Sequence, residues 1–169
     1  MAPETGTKNS ILTADAAHRK IRRMAFEIAE NNAAEPGLVV IGIEGNGQAV
    51  AALLVGELSK ILSLPVRLAT IRINKKEPLN ATLEGAGDVS GKAVIVVDDV
   101  SNTGRTLLYA LKPLLSGQPR SIQTLVLVER SHKQFAVQPD YVGLSISTTL
   151  QEHITVETRG GAITGAWLH

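Results

Sequence analysis

The sequence contains no cysteine and few aromatic residues. Without cysteine, the 169-residue chain can form no disulfide, thiolate zinc site, iron–sulfur centre or cysteine nucleophile. Aromatic residues make up 3% of the chain, so we do not expect the stacking platforms that proteins use on single-stranded nucleic acid. A reducing compartment suits this composition, and we expect the protein to be cytoplasmic.

The sequence also lacks an excess of one charge and a long hydrophobic run. Its 17 Lys and Arg residues against 16 Asp and Glu give a net charge of +1, so no overall basic field indicates nucleic acid. Apolar runs such as 49–55 are far below the roughly 20 residues that cross a bilayer, and residues 1–10 do not resemble a signal peptide. With 44% hydrophobic residues, we expect one folded domain over residues 1–169.

Apolar periodicity predicts alternating helices and strands. Helical spacing behind Thr13, a candidate N-cap, predicts a helix over 13–32. Further helices are predicted at 48–62 and 106–115, and strands at 38–43, 66–73, 93–97, 121–128 and 141–145. Residues 74–91 have no sustained period, which predicts a long mobile loop with room for a small hairpin. This order is typical of an α/β protein with a parallel sheet, whose ligands bind beyond the carboxyl ends of the strands.

The segment from residue 94 to residue 107 carries the strongest chemical signal. An apolar strand is followed by Asp98 and Asp99, a turn of small hydroxyl residues with Gly104, and a helix. Unpaired backbone N–H groups and the dipole at such a helix start favour a phosphate, to which threonine hydroxyls add donors. The two carboxylates suit vicinal hydroxyls or a divalent ion instead. The segment therefore predicts a sugar phosphate site.

This segment resembles the phosphoribosyl pyrophosphate (PRPP) motif of the type I phosphoribosyltransferases. The resemblance extends to the PyrR family of pyrimidine-operon attenuators through residues 10–12, 119–123, 127–133 and 140–143. It implies an α/β fold with a central parallel sheet flanked by helices, and a small hood to which residues 1–12 and 146–169 contribute. The implied reaction transfers phosphoribose from PRPP to uracil, giving UMP and pyrophosphate, in a homodimer or larger assembly.

The resemblance also implies roles for individual residues. Asp98 and Asp99 would be the catalytic pair at the ribose hydroxyls, near Mg²⁺ carried by PRPP. The 5-phosphate would bind Ser101, Asn102, Thr103, Gly104, Arg105 and Thr106. Pyrophosphate would bind Glu44, Gly45, Asn46 and Gly47. The mobile loop would contribute Arg72, Lys75 and Lys76, and Arg130 would lie near the base.

The sequence departs from the family pattern in three places. Gly45-Asn46 stands where Thr-Arg usually precedes the turn glycine, which removes a cation from the leaving-group site. Residues 72–75 replace a Tyr-Arg-Asp-Asp run, and the lysines there either supply the lost charge or are solvated. Asn102 stands where purine-using members often have an acid, which favours a pyrimidine. A PRPP or nucleotide sensor with weak catalysis and a different pyrimidine-like acceptor therefore stay open.

A role in RNA binding is the other open alternative. His18, Arg19, Arg22 and Arg23 lie on the first predicted helix, where they either contact RNA phosphates or form its solvated face. In the first case the protein would be an RNA-binding regulator of pyrimidine genes. A dinucleotide-binding turn at 45–50 is rejected, because its third glycine and the acid after the next strand are missing.

Overall fold

The computed structural model describes residues 7–74 and 76–169, which form two sheets and the helices packed on them. In chain order the elements are β1 (Asn9–Thr13), α1 (Ala14–Asn31), β2 (Leu38–Ile43), α2 (Asn46–Ile61), β3 (Val66–Arg72), a 3₁₀ turn (Pro78–Asn80), β4 (Thr82–Glu84), β5 (Ala93–Ser101), α3 (Arg105–Ala110), α4 (Lys112–Leu115), β6 (Ser121–Arg130), β7 (Tyr141–Ile146), β8 (Ile154–Arg159) and β9 (Ala162–Leu168).

The larger sheet is the core of the molecule. Its strand order is β4-β3-β2-β5-β6-β7, and all neighbours are parallel except the β3–β4 pair. Every residue of β2 is buried, as expected for a central strand that is covered on both faces. Helices α1 and α2 pack on one face, where Ile21 and Leu54 join the core, and α3 and α4 cover the other face with Leu107 and Leu114.

The first helix begins where the sequence predicts. The Thr13 hydroxyl accepts a hydrogen bond from the Ala16 backbone N–H at 3.1 Å, which caps the unpaired start of α1. The helix buries an apolar stripe that includes Ile21, Met24 and Ile28. The prediction of an amphipathic helix over 13–32 is therefore confirmed to within a residue at each end.

The main differences from the prediction in the larger sheet and its helices concern β5 and the helix that follows it. Strand β5 continues beyond residue 97 to Ser101, because it pairs with β6 as far as Ser101 opposite Glu129, so the two aspartates lie on a strand rather than in a turn. The helix predicted at 106–115 is divided into α3 and α4, because Pro113 has no N–H to continue the helical bonds. Residues 82–84 of the predicted loop form β4, which pairs antiparallel with β3, in agreement with the small hairpin for which the prediction left room.

The smaller sheet, called the hood below, consists of β1, β9 and β8 in that order, all antiparallel. The hood pairs a strand near the start of the described chain with two strands near its end. Strand β8 lies beside α2 and the end of β5. In the described part of the chain, no helix is both long enough and apolar enough to cross a membrane.

Candidate functional site

A cavity of about 340 Å³ lies at the carboxyl end of β5. This volume is sufficient for a small-molecule ligand, and the position matches the ligand sites of open α/β sheets. Its walls come from the end of β5 and the loop after it, the start of α2, the segment after β3, and strand β8 of the hood. The lining residues are Asn46, Ile73, Pro78, Asp98, Asp99, Val100, Ser101, Asn102, Thr103, Gly104, Arg105, Thr106, Leu107, Ile154, Thr155 and Val156.

The two aspartates lie side by side in this cavity. Asp98 is buried, and its Oδ1 accepts a hydrogen bond from the Asp99 backbone N–H at 2.8 Å. Asp99 is half-buried and lines the cavity beside it. The start of α2 lies against the same place, since a Cβ on Gly47 would be 2.9 Å from Asp98 Oδ1. The start of α2 therefore packs closely against Asp98 on the central strand β5.

The loop from Ser101 to Thr106 lines the cavity along its whole length. Gly104 has φ +87°, a left-handed conformation that favours glycine. The Thr103 carbonyl accepts hydrogen bonds from the backbone N–H groups of Gln134 and Phe135, each at 3.0 Å, so the segment after β6 braces the loop. The Ser101 hydroxyl is buried and has no hydrogen-bond partner among the described residues. A buried donor without a partner at the cavity wall fits a site that binds a polar ligand.

The predicted pyrophosphate turn contributes to the cavity through one side chain. Among the lining residues only Asn46 comes from the turn 44–47. Its Nδ2 donates to the Val156 carbonyl at 2.8 Å, and its Oδ1 accepts from the Thr158 hydroxyl at 3.0 Å. Gly45 has φ +97°, which lets the chain turn sharply into α2. The Asn46 amide therefore joins the core to the hood.

Two of the predicted loop cations, Arg72 and Lys76, are not among the residues that line the cavity. Arg72 Nε lies 3.1 Å from a carboxylate oxygen of Glu84 and 4.0 Å from one of Glu44. Lys76 is exposed, and its backbone N–H donates to Asn74 Oδ1 at 3.0 Å. Lys75, the remaining predicted cation, lies outside the described residues.

The structure also places Arg130 outside the cavity lining. Its Nη2 donates to the carbonyls of Thr149, at 3.2 Å, and of Glu152. Arg130 Nε and the Thr148 hydroxyl are buried without hydrogen-bond partners in the described chain. Arg130 thus anchors the segment that leads from β7 into the hood.

Several lining residues were not identified from the sequence. Ile73 and Pro78 follow β3, and Ile154, Thr155 and Val156 belong to β8. The alternation of apolar and polar residues from 154 to 157, followed by the Gly160-Gly161 turn, is a hairpin signal that could have indicated these hood strands. Their proximity to the acidic pair depends on the tertiary fold.

The donor set fits a metal ion that arrives with its ligand. Among the described residues there is no cluster of three or more His, Asp or Glu side chains that could hold an ion. Asp98 and Asp99 supply two carboxylates, and Mg²⁺ typically binds one or two carboxylates together with substrate phosphates and water. The pair is therefore suited to Mg²⁺ delivered by a phosphorylated ligand.

The four α1 residues considered for RNA contacts fall into two groups. Arg23 is engaged in the fold, because its guanidinium pairs with Glu27 at 2.7 Å and donates to the carbonyls of Val142 and Gly143 at 2.8 and 3.1 Å. His18, Arg19 and Arg22 are exposed on the helix. Arg22 lies over the ring of Phe26, 6.0 Å from its centroid.

Comparison with known proteins gives matches over most of the chain. The model of the phosphoribosyl transferase domain family matches residues 8–159. The bifunctional protein PyrR of Pelotomaculum thermopropionicum is 35% identical over 159 residues, which cover 88% of this chain and 88% of that protein. The PyrR protein of Brevibacillus brevis is 34% identical, with 89% of each chain covered. The crystal structure of the hypoxanthine phosphoribosyltransferase of Trypanosoma cruzi superposes with a TM-score of 0.73 at 23% identity, covering 82% of both chains.

Proposed function

This chain belongs to the phosphoribosyltransferase family, and we propose that it transfers the phosphoribosyl group of PRPP to uracil, giving UMP and pyrophosphate. The predicted family and α/β fold are confirmed by the family match and by the superposition on a solved phosphoribosyltransferase. Pentosyl transfer follows from the family, whereas uracil as the acceptor is our proposal.

One observation supports the proposal above the others: the acidic pair and the loop 101–106 line one small cavity beneath the hood. The loop would hold the 5-phosphate of PRPP, and Asp98 and Asp99 would accept hydrogen bonds from the ribose hydroxyls. In the reaction, the bond from the anomeric carbon to pyrophosphate breaks and a bond to uracil N1 forms, with release of the N1 proton. Carboxylates beside the ribose would stabilise positive charge that develops on the sugar.

Mg²⁺ on the phosphates of PRPP would neutralise charge on the leaving pyrophosphate. The chain itself would position the two reactants and exclude water, with β8 of the hood as one wall of the site. This division of roles requires no nucleophilic side chain, in agreement with the absence of cysteine.

A pyrimidine acceptor is favoured by the residue at position 102. Asn102 lies at the cavity wall and its side chain cannot protonate a base nitrogen, as an acid there could do for a purine. The hood strand adds Ile154 and Val156, whose apolar side chains suit the face of a planar base.

The test is pyrophosphate release from PRPP and Mg²⁺ with uracil, beside hypoxanthine and guanine as competing acceptors. We expect uracil-dependent release that falls about 100- to 1,000-fold in Asp99→Asn, as for the loss of one preorganised group in an active site. Asp88→Asn is the matched control. Asp88 is exposed and accepts from the Ser90 backbone N–H at 2.9 Å, a bond that an amide oxygen can also accept.

Two results would contradict uracil transfer. Faster release with a purine than with uracil would assign another acceptor. PRPP binding without turnover on any base would indicate a nucleotide sensor, in line with a turn that lacks a cation at position 46 and an Arg72 that is paired with Glu84.

A second role as an RNA-binding regulator is favoured by the exposed residues of α1. Arg19 and Arg22 present positive charge to solvent with the exposed His18 on the same helix, and the relatives are described as bifunctional. We expect RNA affinity that falls steeply between about 50 and 200 mM salt and that weakens in Arg19→Ala. Arg159→Ala, on the exposed end of β8, is the control for a general loss of charge. Salt-independent binding would identify the α1 residues as a solvated face. The expected homodimer or larger assembly is also a proposal, which light scattering on the same samples tests.

A further inference from the structure

Asn46 occupies the junction between the core and the hood. It is the first residue of α2, directly after the turn at Gly45. On one side, the next residue, Gly47, lies against the carboxylate of Asp98, with a distance of 2.9 Å from a Cβ built on Gly47 to Asp98 Oδ1. On the other side, the Asn46 amide reaches β8. Two adjacent residues at the start of α2 therefore contact the hood, through Asn46, and Asp98, through Gly47.

Both the nitrogen and the oxygen of the Asn46 side-chain amide form hydrogen bonds to the hood. Nδ2 donates to the Val156 carbonyl at 2.8 Å, and Oδ1 accepts from the Thr158 hydroxyl at 3.0 Å. An amide has one acceptor oxygen and one donor nitrogen, so this geometry uses it at both ends to bind the strand. At the position where the family pattern usually has an arginine, this chain therefore has a residue that joins the core to the hood.

The strand that Asn46 binds needs such a link. Strand β8 is at the edge of the hood, paired on one side with β9, and its residues Ile154, Thr155 and Val156 form the cavity wall. An edge strand has backbone groups without a neighbouring strand, and these need other partners. Arg130 anchors the segment before β8 through the carbonyls of Thr149 and Glu152. Asn46 supplies the corresponding anchor within the strand.

We propose that Asn46 is a positioning residue that holds β8 of the hood against the start of α2, and so sets the wall that contacts the acceptor base, rather than a ligand of pyrophosphate. This inference rests on the proposed phosphoribosyl transfer. It predicts that Asn46 affects kcat/KM for the base and has little effect on the affinity for PRPP, because the proposed 5-phosphate loop connects β5 to α3, whereas the Asn46 amide binds β8.

The test compares Asn46→Ala, Thr158→Val and the double variant. Amide hydrogen exchange without ligand measures the opening of residues 154–159, calorimetry measures the dissociation constant of PRPP, and steady-state kinetics give kcat/KM for the base. We expect Asn46→Ala to speed exchange in β8 about 3- to 10-fold, the effect of one or two lost hydrogen bonds, and to lower kcat/KM for the base by a similar factor. The dissociation constant of PRPP should change less than about twofold.

The double variant and a control within the hood sharpen the comparison. Thr158→Val should have a smaller effect in the same direction, and the double variant should equal Asn46→Ala, because the Thr158 bond is already lost in that variant. Thr164→Val is the matched control. The Thr164 hydroxyl donates to the Glu157 carbonyl at 3.2 Å within the hood, so its loss should leave the kinetics unchanged.

Two results would overturn the inference. If Asn46→Ala weakens PRPP binding as much as it lowers the use of the base, Asn46 is a pyrophosphate ligand. If exchange in β8 is unchanged, the Asn46 amide does not hold the strand. If the wild-type protein shows no phosphoribosyl transfer, the proposed function is refuted instead. The hydrogen-exchange rates in β8 and the dissociation constant of PRPP, measured separately, would still decide the role of Asn46.

Discussion

Helix α2 approaches strand β5 so closely at Gly47 that the site depends on the missing side chain. A Cβ at position 47 would lie 2.9 Å from Asp98 Oδ1, 3.0 Å from the Val97 carbonyl oxygen and 3.1 Å from Asp98 Cα. Two of these neighbours are backbone atoms of a central strand, which cannot rotate away as a flexible side chain can. Gly47→Ala must therefore shift the helix, the strand or the Asp98 carboxylate.

The cost follows from the density of the packing. Insertion of a methyl group into a well-packed site costs about 1–3 kcal/mol, and replacement of glycine by alanine in a helix returns about 0.5–1 kcal/mol. We therefore expect Gly47→Ala to lower the free energy of unfolding by about 1–2 kcal/mol, which corresponds to a fall in Tm of about 2–8 °C for a chain of this size.

A second glycine of the same helix provides the control. Apart from the chain neighbours and the nearby backbone of α2 itself, no atom of the described residues lies within 4 Å of a Cβ built on Gly56. Gly56→Ala should therefore gain helix propensity without a clash and raise Tm slightly. Thermal unfolding and PRPP titration of both variants are the assays. If Gly47→Ala is as stable as Gly56→Ala and binds PRPP like the wild type, the close approach of α2 to Asp98 is refuted.

Three further outcomes follow from other contacts. Gly104→Ala places a side chain at φ +87°, at a cost of about 1–2 kcal/mol. We therefore expect the dissociation constant of PRPP to rise about 10-fold in a titration. Unchanged affinity would contradict the assignment of this loop to the 5-phosphate. Arg23→Ala should lower stability to urea by about 1–2 kcal/mol, because Arg23 donates to two carbonyls of β7. Both Arg23 and Arg19 are exposed, but Arg19 makes no such bond among the described residues, so Arg19→Ala should change stability by less than about 0.5 kcal/mol, and equal effects would refute this distinction. Burial raises the pKa of Tyr141 above 10.0, so the folded protein favours the neutral phenol. The stability that this pKa difference contributes is present below the pKa of the unfolded state and is lost as pH rises through the pKa of the folded state. The free energy of unfolding in urea should therefore depend less on pH above about pH 10 in Tyr141→Phe than in the wild type. Parallel pH profiles of the two proteins would contradict the shift.

The central part of the fold and the loop at its ligand site could be predicted from the sequence because their signals are local. The apolar run before Asp98, the pair of carboxylates and the glycine-containing turn follow one another along the chain, and each depends on neighbouring residues. Backbone conformation at Gly104 and the cap at Thr13 have the same local origin. Resemblance to a family supplied the reaction, which composition and periodicity do not give.

The sequence alone therefore determined the α/β class, the sheet that carries the acidic pair and the loop that follows it. Which distant side chains meet there depends on the tertiary fold. Asn46 and Val156 are 110 positions apart and share a hydrogen bond, while Arg23 and Arg130 are used within the fold rather than left to a ligand. The physical reason is that a buried carbonyl must find a donor from whatever element packs beside it, and packing brings together residues whose spacing along the chain carries no signal.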